Sequence, residues 1–425
     1  MSIADFIKSA AALKVPQGSR GVVDLIGRKP GNVGTRLLIT RGGAFANNTP
    51  KTFALTLELQ APYEVRRVAF VNYSTTVPYT VTKAGFVRKR NLSAPNISSG
   101  TLTPLLFAGS ASKVIPVAPS AKVPMIVWSD WVVLPSVDRD DGKAGAVETL
   151  AAYIETASSI SIMGNGTDDY TTWAGRTDGR AMIMRHNDGD CLASQGSFTS
   201  TTNRLQTPFG GLQYMARSEV RSVGIVGDSN AQAVLDTYIG SGFGERACAA
   251  IQAASGTAFE FSNFGYGGST SAEYRDIGLN AVAALAEQPI DALLLPNYTV
   301  NDAGASPGAE SVRAGSGNAN RIAGECRRYG TAPIIYTGLP SDPGGSPNYS
   351  FGTADQWRQA NNAATLLSKG AIPAAVAEAV EAPAVSGQKP YASGNSGDRV
   401  HLSPAGNALA AIPAAAAIRI ATSIY

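Results

Sequence analysis

The sequence predicts two architectures in succession. An all-β sandwich, jelly-roll-like, occupies residues 35–215, and an α/β fold with a three-layer, doubly wound parallel sheet occupies residues 216–425. Three observations predict this. Before 216 the apolar positions recur every second residue, as Phe53, Leu55, Leu57 and Leu59 do among Thr52, Thr56, Glu58 and Gln60. Beyond 216 short apolar runs alternate with stretches of helical periodicity, the order that builds a parallel sheet with helices on both faces. Between them Pro208, Gly210 and Gly211 crowd the segment 206–219 and mark a join.

Taken in order, residues 1–34 form an N-terminal segment, expected as a short helix or attachment arm. Asp5 and Lys8 interrupt the unbroken apolar core that a signal peptide needs. Strands are expected at 68–72, 79–82, 125–134 and 181–184 and around Ile160 and Ile162, with turns at Asp141-Gly142, Asn165-Gly166 and Asp188-Gly189. Trp128, Trp131, Tyr153, Tyr170 and Trp173 have faces suited to stacking on sugar rings, but buried sandwich aromatics are the plainer reading. Asp138, Asp140 and Asp141 lack calcium-loop spacing, so a turn is expected. His186 and Cys191 flank 187–190, which reads as a hairpin before it reads as a metal site. In the second half strands are expected at 223–226, 258–262, 292–295 and 334–337, and helices near 231–254, 271–287, 319–329 and 354–369.

Composition narrows the classes. With 425 residues the chain exceeds what one core usually serves, and 44% hydrophobic against 16% charged content describes a globular protein. A formal net charge of +3 is too small to argue for nucleic acid, and the basic cluster Lys83, Arg88, Lys89 and Arg90 reads as a solvated strand end. Cys191, Cys248 and Cys326 are widely spaced and imply neither a disulfide framework nor a zinc site. The Ala-rich C-terminal stretch carries Pro413 and Arg419, so no membrane insertion is expected. An oligomer is compatible with the sequence, and the compartment stays open, extracellular and virion-associated among the options.

The chemistry gathers at four places. Gly227-Asp228-Ser229 ends the 223–226 run ahead of a helical pattern, which puts the serine on a strand-to-helix turn; an ordinary helix cap gives the same tripeptide. Asp398 precedes His401 by three residues, and the chain has only two histidines. A neutral imidazole activates a serine when a carboxylate fixes its tautomer, so these two residues supply a base and its partner from one turn. Asn263 to Gly268 is glycine-rich after a strand, and its N–H groups can approach a ligand. Asn301-Asp302 follows another apolar run, where an amide can donate to an oxyanion without titrating. A glycine-rich turn and an Asx-turn are the bland readings of the last two.

These four stretches, in this order, resemble the blocks of the SGNH (GDSL-type) hydrolase family over about residues 220–425. The resemblance implies Ser229 as nucleophile, His401 as base and Asp398 as its orienting acid. It implies an oxyanion hole made of the Ser229 N–H, the Gly268 N–H and the Asn301 side chain, and no metal or cofactor. Asn230 stands where the family usually has Leu, and Thr299 where it usually has Gly. The first bears on the pocket rim and the second on the approach to the oxyanion. The implied activity is hydrolysis of carboxylic esters through an acyl-enzyme. With a β-sandwich attached, an O-acetyl group on a carbohydrate is the leading substrate. The alternative is a catalytically weak glycan-binding adhesin, or a phage-tail or cell-surface structural protein that uses a hydrolase-like domain.

Overall fold

In the computed structural model of the chain, the described residues are 32–39, 42–45, 51–92, 102–158, 160–165, 180–194, 205–236, 242–302, 309–340, 351–367, 370–384 and 388–423. The expected N-terminal helix, Tyr170 and Trp173 lie outside them. The first half carries β1 (Val33–Leu37), β2 (Gly42–Phe45), β3 (Lys51–Leu59), β4 (Tyr63–Asn72), β5 (Tyr79–Lys89), β6 (Thr103–Pro104), β7 (Lys113–Ile115), β8 (Met125–Trp128), β9 (Val132–Val133), β10 (Ala146–Glu155), β11 (Ile160–Asn165), β12 (Met182–Asp188), the one-turn α1 (Cys191–Ser194), β13 (Leu205–Thr207) and β14 (Phe209–Ala216). One sheet runs β1-β14-β4-β8, a second β12-β3-β10-β5-β6 and a small third β13-β11-β2. Their pairings are antiparallel, consistent with a β-sandwich.

Alternation in β3 does place Phe53, Leu55, Leu57 and Leu59 in the main core, yet Thr52, Thr56 and Glu58 on its other face are buried too. Polar partners make that burial tolerable: Thr56 Oγ1 lies 2.7 Å from Thr149 Oγ1, and Glu58 takes Arg139 at 2.8 Å and the Ala181 N–H at 3.0 Å. Between the sheets, Arg66 of β4 pairs with Glu148 of β10 at 2.6 Å, both fully buried, and the Tyr63 hydroxyl donates to the same carboxylate. Removing one partner of such a pair would leave a buried charge uncompensated, at a cost of about 3–5 kcal/mol.

The second half carries β15 (Val220–Gly227), α2 (Ser229–Gln232), α3 (Gly242–Ser255), β16 (Ala258–Gly265), α4 (Ser271–Ala284), β17 (Ala292–Pro296), a 3-10 turn (Val300–Asp302), α5 (Ala309–Arg328), β18 (Ala332–Tyr336), α6 (Phe351–Leu366), β19 (Ile372–Ala374) and α7 (Pro404–Thr422). All pairs of its sheet are parallel, in the order β16-β15-β17-β18-β19. The winding reverses about β15, and crevices at the carboxyl ends of strands at such a reversal are where open α/β sheets bind ligands. Strand side chains alternate between two cores. Val226, Phe264, Leu293 and Ile335 meet Ile277 of α4 and Ile322 of α5, whereas Val223, Phe261, Leu294 and Ile334 meet Phe243 of α3 and Ile418 of α7.

The first of these cores continues without a break into the antiparallel sheets, taking in Leu37, Val68, Phe70 and Tyr214. Strand β1 is stitched to the parallel sheet: the Thr35 N–H donates to Ser222 Oγ (2.8 Å), the Leu37 N–H to Ser262 Oγ (3.0 Å) and the Ile39 N–H to the Asn263 carbonyl (2.9 Å). Trp128 Nε1 donates to the Ala284 carbonyl at the end of α4 (2.9 Å), and Asn280 donates to the Pro124 carbonyl (2.9 Å). The join near 216 is a change of sheet within continuous packing.

Several elements depart from expectation. The helix expected over 231–254 is instead the single turn α2, followed by α3 from Gly242. Asp228 caps that turn, its side chain accepting the Asn230 N–H, and Ala233 ends it in the left-handed region at φ 59°. The 125–134 strand is two short ones, β8 and β9, and α5 begins at Ala309, ahead of its expected start. Strand β12 leads into α1 and not into a hairpin; Asp188 pairs with Lys51, and the Cys191 N–H donates to Thr52 Oγ1 at 2.9 Å. Among the described residues no group of three or more His, Cys, Asp or Glu could hold a metal ion. The Arg67 guanidinium lies over both Trp128 (4.5 Å) and Trp131 (4.6 Å), and Tyr153 packs with Leu192. Lys83 is tied to Asp190 and Arg88 to the Pro135 carbonyl. By length and composition α7 could cross a membrane, but here Ala410, Ala414, Ala417 and Ile418 are buried in the second core.

Candidate active site

Strand β15 delivers the nucleophile turn. Its last residue, Gly227, has φ 154°, and a Cβ there would lie 2.9 Å from the Ala231 Cβ and 3.1 Å from the Tyr336 hydroxyl, so only glycine lets the chain turn this sharply under Pro296 and Tyr336. Ser229 is then the first residue of α2.

The second half of the pair comes from the turn before α7. Asp398 Oδ1 accepts the N–H groups of Val400 (2.9 Å) and His401 (2.7 Å), with Arg399 between them at φ 68°. That turn brings Asp398 Oδ2 to 2.6 Å from His401 Nδ1. On the ring's other side, His401 Nε2 lies 2.8 Å from Ser229 Oγ. A carboxylate accepts only, so Nδ1 carries the hydrogen and Nε2 offers its lone pair to the serine hydroxyl. Burial pushes the Asp398 carboxyl up, but the bonds from the His401 ring and from the two backbone N–H groups outweigh it and hold the carboxyl below its ordinary value. Asp398 therefore stays charged where a histidine titrates.

Asn230 and Thr299, the two departures from the family pattern, both have structural work. Asn230 is buried; its Nδ2 donates to the Val400 carbonyl (3.1 Å) and its Oδ1 accepts the Leu402 N–H (3.0 Å), so one amide brackets His401 from both sides. Leucine could make neither bond. Thr299 Oγ1 donates to Asp228 Oδ2 at 2.5 Å and accepts from Asn301, linking the nucleophile turn to the 3-10 turn. Both roles need partners distant in sequence, and the departures themselves are the only local signal of them.

The glycine-rich loop after β16 runs alongside the serine: a Cβ on Gly267 would lie 3.8 Å from the Ser229 Cβ. The Gly267 N–H donates to Gln232 Oε1 (2.9 Å), and the Ser269 N–H closes a turn onto the Tyr266 carbonyl (3.1 Å). Asn301 Nδ2 reaches the Ser269 carbonyl at 3.0 Å, which places it against the same loop that carries Gly268. Thus the turn with Ser229, the loop with Gly268 and the 3-10 turn with Asn301 converge at the carboxyl ends of β15, β16 and β17.

Beside Asn301, Asp302 is a titratable group that the sequence reading left without a role. Its Oδ1 accepts the Ser271 N–H (2.7 Å), while its buried Oδ2 has no partner among the described residues. Burial pushes its carboxyl up to about 6; the Ser271 bonds pull against this, and the charges of Asp228 and Glu273 add to it. An unfolded aspartate titrates near about 3.9, so between about 4 and 6 the native state binds more protons than the unfolded chain, and this contribution to stability is lost as pH rises through that window. Asp302→Asn, which can still accept the Ser271 N–H, should therefore melt higher than wild type at about pH 8, with a smaller gain at about pH 4. Thermal scans at both pH values check this. A variant that melts lower at the higher pH would show that the charge is needed.

Comparison with known proteins finds a family model that matches part of the chain. Residues 225–409 match the family model described as GDSL-like Lipase/Acylhydrolase family. No curated protein matches the chain. Solved structures that resemble it include a protein of the G-D-S-L family from Desulfitobacterium hafniense DCB-2 (14% identity, TM-score 0.35, covering 46% of this chain and 98% of that one). A GDSL-like lipase from Bacteroides thetaiotaomicron VPI-5482 follows at 17% identity and TM-score 0.35, covering 48% and 88%. A catalytic mutant of an acetylxylan esterase from Geobacillus stearothermophilus matches at 13% identity and TM-score 0.33, covering 48% and 95%.

Proposed function

Starting from a GDSL-like lipase/acylhydrolase domain at residues 225–409, we propose that the protein is a serine esterase working through an acyl-enzyme, with Ser229 as nucleophile, His401 as base and Asp398 as orienting acid. One observation carries the reading: the line from Asp398 through His401 to Ser229, with a 2.6 Å contact inside one turn and a 2.8 Å contact between residues 172 positions apart. His401 Nε2 takes the hydroxyl proton as Ser229 Oγ attacks the ester carbonyl. The N–H groups of Ser229 and Gly268 receive the oxyanion, joined by the Asn301 amide when one of its hydrogens leaves the Ser269 carbonyl or Thr299 Oγ1, and His401 returns the proton to the leaving alcohol. Water, deprotonated by the same imidazole, then releases the acid.

We assign acetyl as the acyl group on the same ground as the alcohol component, the antiparallel β-sheets attached to the hydrolase half. The carbohydrate as alcohol component rests on the attached β-sheets alone, since Trp128, Trp131 and Tyr153 are engaged in packing. Purified protein should hydrolyse p-nitrophenyl acetate much faster than the octanoate and release acetate from acetylated polysaccharides. Failure on every ester would support the adhesin reading; equal rates on both aryl esters would remove the acyl-size assignment.

Asn230 enters this reading as a positioning residue. Asn230→Leu should lower kcat by about ten- to a hundredfold with KM little changed, because a displacement of about 1 Å at the base can cost that much. Steady-state kinetics check it; an unchanged kcat would show that the His401 turn holds itself.

A further inference from the structure

We propose that Lys122, on the segment between β7 and β8 in the antiparallel half of the chain, is a positioning residue for the oxyanion-binding loop of the parallel half. Its Nζ lies 2.9 Å from the Gly268 carbonyl oxygen and 2.8 Å from Glu273 Oε2. It also sits 5.8 Å from the centroid of the Tyr266 ring, so the ammonium lies between the start of the loop that leads from β16 to α4 and the first turn of α4.

The loop needs such a tie. Gly268 stands at φ 72°, and a Cβ there would meet nothing within 4 Å, so neighbouring side-chain packing does not hold this peptide. What holds it are hydrogen bonds on its flanks: Gly267 to Gln232, and Ser269 to Tyr266 and Asn301. At Gly268 itself the carbonyl is taken by Lys122. Because the carbonyl and N–H of one residue share its α-carbon, clamping the carbonyl limits the swing of the N–H assigned to the oxyanion.

Lys122 is itself aimed. Glu273 closes the capping box of α4, accepting from the Thr270 N–H at 2.8 Å, and the Lys122 bond is among those that hold its carboxyl below the ordinary value despite burial, the largest single influence. The segment carrying Lys122 is anchored at both ends, by the Ala118 N–H on the Ser74 carbonyl (2.7 Å) and by Asn280 on the Pro124 carbonyl. The antiparallel half therefore contributes to turnover on any ester, even one with no glycan to bind.

This inference rests on the serine-esterase reading, and its test separates the two. Full-length wild type, Lys122→Met and Lys122→Arg are compared on p-nitrophenyl acetate and in inhibition by a boronic acid, which forms a tetrahedral anion on a serine. Loss of a whole oxyanion donor costs about 10²–10³ in kcat, and a donor left loose should cost about tenfold or more. Expected for Lys122→Met are that fall in kcat, an unchanged KM and a parallel loss of boronate affinity, with most of both restored in Lys122→Arg. Wild-type kcat and boronate affinity in Lys122→Met would overturn the proposal, as would equal loss in the methionine and arginine variants. Should Lys122→Met fail to fold, Glu273→Gln carries the same test, because it keeps the lysine but weakens its aim; wild-type kinetics there would count against the proposal. Inactive wild type would sink the esterase reading instead.

Discussion

Ser229→Ala is expected to reduce ester turnover by a factor on the order of 10⁵–10⁶ while leaving the fold intact. The alanine keeps the Cβ that sits near Gly267 and removes only the oxygen 2.8 Å from His401 Nε2, so no core cavity opens. Turnover of p-nitrophenyl acetate, labelling by a fluorophosphonate probe and the thermal midpoint together check it. Labelling and turnover should vanish and the midpoint should hold. A variant that still turned over at the wild-type rate would place the nucleophile elsewhere.

The second large effect is expected at the far end of the same line. Asp398→Asn should cost about 10⁴ in kcat with little change in KM. An asparagine oxygen can still accept the Val400 and His401 N–H groups, so the turn survives. Its amide then presents an N–H to Nδ1, which favours the tautomer that has no lone pair facing Ser229. A rate within about tenfold of wild type, far from that loss, would assign the orientation of His401 to another group.

Much of this site was legible in the sequence because its parts sit at strand ends. The apolar runs before Ser229, Asn263 and Asn301 are short and bounded by glycine or polar residues, and parallel strands announce themselves that way. The strand-helix alternation likewise yielded the order of β15 to β18. What stayed hidden was whatever depended on a distant partner. The one-turn length of α2 follows from Ala233 entering the left-handed region, against its helical propensity. Val312 apart, the buried face in the first half of α5 is Gly315 and Ala319, residues too small to mark a helical spacing. Glu58, Arg66 and Glu148 look like surface residues until their mates are known. Asn230 and Lys122 belong to the same group, since nothing local says which carbonyl each will meet.

The stitching of β1 to the parallel sheet bears on how the protein reaches its native state. Thr35 waits for Ser222, 187 residues later, and Leu37 for Ser262, 225 residues later. Both contacts lie inside the core that the two halves share, so on a ribosome the antiparallel sheets emerge long before the strands that cover them. Loop-closure entropy of that length must be met before such contacts reward it, which makes assembly slow and leaves apolar strand faces open in the meantime. Until Ser222 and Ser262 are made neither of these bonds can form, whatever the speed of translation.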